Sequence, residues 1–285
     1  MTTRYQQLLL LTTLLAGSLL ISLVTYRPAL PITNTQPAKK IVPQVFAYTI
    51  AIPRPPMRYQ LPPVVAGKKP QQTPLGLKKS RFFDRLIPLI EQQNDLTLQT
   101  RTSIQGMKEQ LQLGQTLTVT QQLTLQQLAA RYRLRAGEVD DLTLIDALLA
   151  KIDVLPPSLV LAQAASESAW GESRFAREAN NLYGQWCFST GCGLVPHHRP
   201  EGMTHEVTSY PSWQASVSAY FLNINSHPAY QPLRDLRLQR RKQNLAISGE
   251  LLAAGLEKYS ARGTIYIKSL QQIIRVNDLA RLDQF

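Results

Sequence analysis

Residues 163–171 read QAASESAWG, and this stretch places an ionisable carboxyl among small side chains. In the predicted helix SLVLAQAASESAWG, Gln163, Glu167 and Gly171 share one side because they recur at steps of four. Neighbours this small leave room beside Glu167, so the helix can form the floor of a ligand groove. Partial burial disfavours the charged form of a carboxyl and raises its pKa. Such a glutamate can act as a general acid near neutral pH. The alternative is a structural glutamate hydrogen-bonded within the core, although buried carboxylates are rare without a partner.

The positive charge of the chain is concentrated near its start. Of 285 residues, 1–83 carry 11 of the 31 Lys and Arg residues and none of the 19 Asp and Glu residues. The pI of about 9.8 therefore describes a basic tail, and we predict no nucleic-acid partner. Such a tail suits an anionic lipid surface or acidic wall polymers, and the alternative is a solvated charge excess.

Residues 1–26 contain an uncharged apolar run at 8–24, LLLLTTLLAGSLLISLV. Its length is short for a membrane span and slightly long for the core of a signal peptide. Because no small-x-small cleavage site follows, we expect an uncleaved anchor in the inner membrane rather than a cleaved signal. The flanking charges give no clear orientation.

Two further segments precede the informative part of the chain. Residues 27–78 hold 11 of the 19 prolines, which predicts an extended linker. Residues 79–139 show helical periodicity and are predicted to form a helical extension that leans on the following domain. Helices are expected at about 79–113, 122–133 and 138–151. The alternative is an independent helical unit that binds substrate or a partner.

The stretch PPSLVLAQAASESAWGESRFAREANNLYGQWC resembles the glucosaminidase domain of bacterial peptidoglycan hydrolases, glycoside hydrolase family 73, and especially its Bax-type members. The shared motifs are ES-x-WG around Glu167 and NNLYG at 180–184. The resemblance spans about 140–283. It implies a mainly α (α+β), lysozyme-like, two-lobed catalytic domain over 140–285, with a small β-hairpin lobe.

The resemblance also implies a reaction. It is hydrolysis of the β-1,4 bond between N-acetylglucosamine and N-acetylmuramic acid in peptidoglycan glycan strands, with Glu167 as general acid. A periplasmic location follows from that substrate, and no cofactor is implied. The alternatives are a wall-binding or scaffold protein with little turnover, and a muramidase or lytic transglycosylase using the same glutamate. The sequence identifies no protein partner.

Glycoside hydrolysis usually needs a second carboxylate. Glu206, just before the next predicted helix, best matches the acidic residue that the family places at the end of its β-hairpin lobe. Glu201 is the other candidate in that region, whereas Glu172 and Glu178 resemble an exposed helix end. Substrate assistance by the 2-acetamido group is the competing route.

Aromatic and polar side chains are expected along the groove, where rings pack on the apolar faces of sugars. Tyr259 matches the family tyrosine near the general acid, with Tyr266 as the second choice. The Ser-Ala-Arg-Gly that follows Tyr259 departs from the family pattern. Trp213 and Tyr220 are at helical spacing and are expected in the core. The predicted substrate-binding residues are Trp170, Asn181, Tyr183, Gly184, Trp186, Tyr210 and Tyr266.

The two cysteines, Cys187 and Cys192, lie in CFSTGC. A short Thr-Gly loop can close a hairpin and bring the sulfurs together, and a disulfide is expected outside the cytoplasm. The alternative is a zinc site with His197 and His198, which adjacent histidines suit poorly. We therefore predict no metal, and no phosphate-binding or dinucleotide-binding glycine motif is present.

Overall fold

A computed structural model of the chain describes residues 74–284, and these residues form a mainly helical domain with a small sheet. The fold class predicted from the resemblance, mainly α with a small β lobe, is confirmed. The helices are α1 Pro74–Gln112, α2 Val119–Arg131, α3 Asp141–Lys151, α4 Pro157–Ser168, α5 Arg174–Ala179, α6 Trp213–Ser226, α7 Gln231–Lys242, α8 Gly249–Leu252 and α9 Thr264–Val276. Short 3₁₀ helices cover Pro228–Tyr230, Ala253–Tyr259 and Leu279–Leu282, and the strands are β1 Trp186–Cys187, β2 Gly193–Leu194 and β3 Glu206–Thr208.

The helix ends differ from the sequence prediction where capping chemistry decides them. Helix α1 begins at Pro74, so the linker prediction for 74–78 is wrong; proline is well tolerated in a first helical turn. Helix α2 starts earlier than predicted because Thr118 forms a capping box with Gln121. Near the end of the described residues, α9 stops at Val276 and a 3₁₀ turn follows at Leu279–Leu282.

Helix α1 contributes to two separate hydrophobic clusters. Phe82, Leu86 and Ile90 pack into the large cluster built around α4, α6 and α9. Ile104 and Met107, farther along the same helix, pack into a smaller cluster with α2 and α3. The boundary predicted at 139/140 therefore does not separate two cores, because α1 belongs to both and α3 lies with the extension.

Polar contacts lock the extension to the following helices. The Asn94 side chain donates to the Leu155 carbonyl at 2.9 Å and accepts from the Leu155 amide at 3.0 Å. Asp153 is buried and accepts from Arg241 at 2.8 and 3.0 Å. Burial alone would raise the pKa of Asp153, but Arg237 and Arg241 outweigh it and hold this pKa below its ordinary value. Because α7 supplies both arginines, this network joins α7 to the loop before α4.

The three strands form an antiparallel sheet in the order β1-β3-β2. Trp186 pairs with Val207 on one side of β3, and Leu194 pairs with Val207 on the other. The hairpin predicted across CFSTGC is therefore wrong in its pairing, since β3 lies between β1 and β2. A side chain at Gly193 would collide with the Val207 carbonyl, so glycine permits this approach. We call residues 186–208 the β lobe.

Within residues 74–284, no helix combines the length and the apolar character needed to cross a bilayer. The apolar run at 8–24 and the linker up to residue 73 lie outside the described residues.

Removing a buried side chain from α1 should destabilise the whole domain. Leu86 is fully buried in the large cluster, and we expect Leu86→Ala to lower the free energy of unfolding by about 2–5 kcal/mol. Leu77→Ala, on the same helix but with 42% of the residue exposed, is the matched control and should change it by less than about 0.5 kcal/mol. Chemical denaturation measures both, and equal effects would show that α1 is not part of this core.

Candidate active site

Helix α4 is buried over most of its length and reaches solvent only in its last turn. The described side chains from Pro157 to Ala165 are buried, whereas Glu167 is partly exposed. The chain then turns sharply through three left-handed residues, Ala169, Trp170 and Gly171, with φ of 52°, 63° and 81°. Non-glycine residues rarely adopt this conformation. The turn leaves the Glu167 carboxyl at the end of the helix, where partial negative charge from the backbone also opposes ionisation.

The environment of Glu167 favours its protonated form. Burial raises the pKa of the carboxyl, and a hydrogen bond from Tyr266 and the positive charge of Arg262 offset this only in part. The direction agrees with the expectation from the sequence. A carboxyl held this way keeps its proton to higher pH than an exposed glutamate does.

Five tyrosines from different parts of the chain gather beside Glu167. Tyr183 stacks on Tyr220 with ring centroids 4.0 Å apart, and Tyr259 stacks on Tyr266 at 5.6 Å. Tyr230 contacts Tyr259 at 5.7 Å. We call these five rings the tyrosine wall.

Only one of the two tyrosines named from the sequence meets the carboxyl directly. The Tyr266 hydroxyl interacts with the Glu167 carboxyl and acts to lower its pKa, against the effect of burial. The Tyr259 hydroxyl donates instead to the backbone carbonyl of Tyr183 at 2.8 Å. Tyr266, the second choice on the sequence, therefore has the contact expected of Tyr259, and Tyr259 supports the loop that carries Tyr183.

The NNLYG loop places backbone close to Glu167. Asn181 is buried and donates to the carbonyls of Gln185 and Thr208, both at 2.9 Å, so its amide links this loop to the β lobe. Gly184 has φ of 63°, and a side chain there would begin 3.7 Å from a carboxylate oxygen of Glu167. The Asn181 side chain thus shapes the loop through its hydrogen bonds to backbone carbonyls. Gly184, which has no side chain, leaves the space beside the Glu167 carboxyl open.

The other predicted groove aromatics lie in different settings. Trp170 contacts Phe82 and Phe83 of α1 with ring centroids 6.1 and 5.5 Å apart, so it packs against the extension. Trp186 is 56% exposed and stacks on His205 at 4.1 Å, which leaves one ring face open. Trp186 therefore has the open face that sugar stacking requires.

Tyr210 is partly exposed, unlike the buried core aromatics. Its hydroxyl donates to the side-chain oxygen of Gln185 at 2.7 Å, and burial raises its pKa to about 12. Trp213 and Tyr220 are buried in the large cluster, as the sequence indicated. His205 and the aromatic contacts of α1 were not found by sequence reasoning, because no local motif marks a side chain that packs across the chain.

Of the four acidic residues considered as a second carboxylate, Glu206 alone is buried. Its two oxygens accept from the backbone amides of Gly191 at 2.9 Å and Gly193 at 2.8 Å. These hydrogen bonds lower the pKa of Glu206 and favour the carboxylate. Glu172, Glu178 and Glu201 are exposed, and Glu172 pairs with Lys78 at 2.8 Å.

The disulfide expected from the sequence is present between Cys187 and Cys192, with Cα atoms 6.2 Å apart. A carboxylate oxygen of Glu206 lies within 4.8 Å of both sulfurs. A bonded pair offers no thiolate, so the zinc alternative does not apply to this form of the protein. The disulfide and Glu206 hold the same loop.

The amide protons of Gly191 and Gly193 should report the ionisation of Glu206. Their NMR chemical shifts should titrate together, with a midpoint below the ordinary glutamate pKa. Since the folded-state pKa is lowered, the stabilisation of the loop is complete above the unfolded-state pKa and is lost as pH falls through the folded value. In Glu206→Gln the two shifts should lose this titration, and an unchanged curve would contradict the assignment.

Comparison with known proteins identifies the family of this chain. Residues 143–279 match the family described as Glucosaminidase, mannosyl-glycoprotein endo-beta-N-acetylglucosaminidase. The chain is 31% identical over 199 residues to Protein bax of Escherichia coli strain K12, covering 70% of this chain and 68% of that protein. It is also similar to the catalytic domain of the autolysin Auto from Listeria monocytogenes, at 18% identity and a TM-score of 0.35 over 63% of this chain and 97% of the other. The chain belongs to the Bax-type family of proteins with a glucosaminidase domain.

Proposed function

We propose that this protein hydrolyses peptidoglycan at the β-1,4 bond between N-acetylglucosamine and N-acetylmuramic acid, with Glu167 as the general acid. The observation that carries the proposal is the carboxyl of Glu167, which is partly exposed at the end of a buried helix with its pKa raised by burial. A protonated carboxyl that a substrate can reach can transfer its proton to a glycosidic oxygen. Family membership supports glycosidase activity in general.

In the proposed reaction Glu167 protonates the leaving oxygen as positive charge develops on the sugar ring. The C–O bond then breaks with its electron pair on the leaving group, which departs as a neutral alcohol. We propose that the space beside Gly184 receives the sugar next to the acid, and that the open face of Trp186 stacks on another sugar of the strand. Burial raises the pKa of Glu167, so the carboxyl keeps its proton to higher pH than an exposed glutamate does.

Glu206 is the proposed second carboxylate. The environments of the two glutamates push their pKa values apart, upward for Glu167 and downward for Glu206. This divergence is typical of a pair in which one group gives a proton and the other stays ionised. Each oxygen of Glu206 accepts one amide hydrogen bond and keeps a further lone pair. We propose that this anion orients the attacking water or stabilises the positive charge on the sugar.

The cellular setting follows from the proposed substrate. Peptidoglycan lies outside the cytoplasm, and we propose that the domain works in the periplasm, tethered through the apolar run at 8–24. The disulfide between Cys187 and Cys192 fits that proposal, because disulfides persist in oxidising compartments.

Glu167→Gln should abolish hydrolysis of purified sacculi. The amide cannot donate a proton as an acid does, and we expect a loss of at least about a hundredfold in turnover with the fold unchanged. Glu178→Gln makes the same chemical change at an exposed site and should keep the activity of the unmodified protein. A Glu167→Gln protein with normal turnover would reject the proposed acid.

The products identify the bond that is cut. Mass spectrometry of digested sacculi should show reducing-end N-acetylglucosamine. Reducing-end N-acetylmuramic acid would indicate a muramidase, and an anhydromuramyl end would indicate a lytic transglycosylase. Binding to sacculi without any soluble product would favour a wall-binding or scaffold protein.

Turnover of Glu206→Gln separates the two catalytic routes. Under the proposed two-carboxylate mechanism we expect a loss of about a hundredfold or more. If the 2-acetamido group of the substrate assists instead, much of the activity should remain. The amide NMR spectrum of the β lobe checks that the variant keeps its local fold.

A further inference from the structure

A chain of buried side chains leads from α6 to the proposed acid. The Tyr220 hydroxyl donates to the side-chain oxygen of Gln163, and the Gln163 amide nitrogen donates to the Tyr266 hydroxyl at 3.0 Å. The Tyr266 hydroxyl in turn faces the Glu167 carboxyl, and their interaction acts to lower the pKa of Glu167. Tyr220 and Gln163 are fully buried, and Tyr266 is 2% exposed, so water does not compete for these bonds.

The first link decides which way the Gln163 amide faces. Oxygen and nitrogen of a glutamine side chain are told apart by their partners. Within residues 74–284, the Tyr220 hydroxyl makes its hydrogen bond to Gln163 and to no other side chain. If the amide were reversed, its NH₂ group would face Tyr220, and the Tyr220 proton would lose its acceptor. Loss of an acceptor inside a core is costly, so the amide oxygen faces Tyr220.

The second link decides where the Tyr266 proton points. An amide nitrogen donates and cannot accept, so the Tyr266 oxygen must accept from Gln163. The proton of Tyr266 then needs another acceptor, and the carboxyl of Glu167 supplies it. Because Gln163 donates to the Tyr266 oxygen, the Tyr266 hydroxyl is directed to donate to Glu167 whether that carboxyl is charged or neutral.

We propose that Gln163, held by Tyr220, is a positioning residue that fixes the Tyr266 hydroxyl as a donor to Glu167 and thereby fixes which carboxyl oxygen carries the acid proton. One oxygen of Glu167 accepts from Tyr266, so the proton resides on the other. That oxygen is the one free to meet the glycosidic bond. The inference rests on the proposed function, because it assigns a partner to the proposed acid.

Several groups face Glu167 and bear on its ionisation. They are Tyr220 of α6, Tyr230 and Tyr259 of the 3₁₀ segments, Tyr266 of α9 and Arg262 in the turn before α9. Burial raises the pKa of Tyr220, Tyr230, Tyr259 and Tyr266, so these four remain neutral. Changing Gln163 therefore alters the hydrogen bond to Glu167 without altering the charge around it.

The test compares Gln163→Met, Tyr266→Phe and the double variant in the full chain. Peptide-free soluble glycan chains serve as the substrate, and kcat/KM is measured against pH. Activity requires Glu167 to be protonated. The fall of kcat/KM at high pH, called the basic limb, therefore follows the ionisation of Glu167. Loss of the Tyr266 donor removes a bond that favours the carboxylate, and each single change should move the limb to higher pH. We also expect kcat to fall by about tenfold, with KM little changed.

The double variant distinguishes positioning from packing. If Gln163 acts through Tyr266, the double variant should show the limb of Tyr266→Phe with no further shift. Shifts that add, or a limb in Gln163→Met that stays at the wild-type pH, would overturn the inference. Ser218→Ala, which removes an α6 hydroxyl that is hydrogen-bonded to Gln93 of α1, should leave the limb in place.

Two further measurements keep the outcome interpretable. If Gln163→Met does not fold, Tyr220→Phe replaces it, because this change retains the ring and removes only the hydroxyl that orients the Gln163 amide. Tyr220→Phe should move the basic limb to higher pH. A basic limb that stays at the wild-type pH would count against the inference. Activity of Glu167→Gln separates the two proposals. A Glu167→Gln protein that turns over normally rejects the general acid itself. An inactive Glu167→Gln beside an unshifted Gln163→Met rejects only the positioning role.

Discussion

The burial of α4 is the constraint from which the site follows. This helix lies within the large hydrophobic cluster, and its only partly open turn is the last one, where Glu167 stands. Small residues allow α9, α1 and the 3₁₀ turn at Leu279–Leu282 to pack closely around it. The carboxyl of Glu167, at the end of this helix, is therefore partly desolvated but still accessible from solvent. The same packing that stabilises the fold therefore sets the chemistry of the acid.

Helix α1 extends this constraint beyond the segment that carries Glu167. Its first half completes the core around α4, while its second half forms a separate cluster with α2 and α3. The Trp170 ring, next to the proposed acid, packs on Phe82 and Phe83 and is covered by the ammonium of Lys79 at 4.6 Å. Three left-handed residues in a row are unfavourable, and packing of this kind is what holds them in place. The extension thus acts on the site through the turn after Glu167.

Sequence reasoning succeeded where the deciding forces are local. The helices of the extension, the raised pKa of Glu167 and the mainly helical fold with its small β lobe followed from periodicity, small neighbours and the family motifs. It failed where distant segments meet. Gln163 and Tyr266 are 103 positions apart, and no spacing reveals that Tyr266 rather than Tyr259 reaches the acid. The strand order also escaped, because β3 reaches the position between β1 and β2 from beyond a long loop.

The aromatic contacts of Gly171 have a practical consequence for dissecting this protein. A side chain at that position would press on Phe82 at 3.1 Å and on Trp213 at 3.2 Å, so backbone and rings meet there directly. A recombinant fragment that begins at residue 143, where the family match starts, would lack Phe82 and leave an exposed apolar surface over this turn. Exposed apolar patches of that kind promote aggregation. A fragment that keeps the large hydrophobic cluster complete therefore has to include α1 from near Pro74, about seventy residues before the segment that the family match would select.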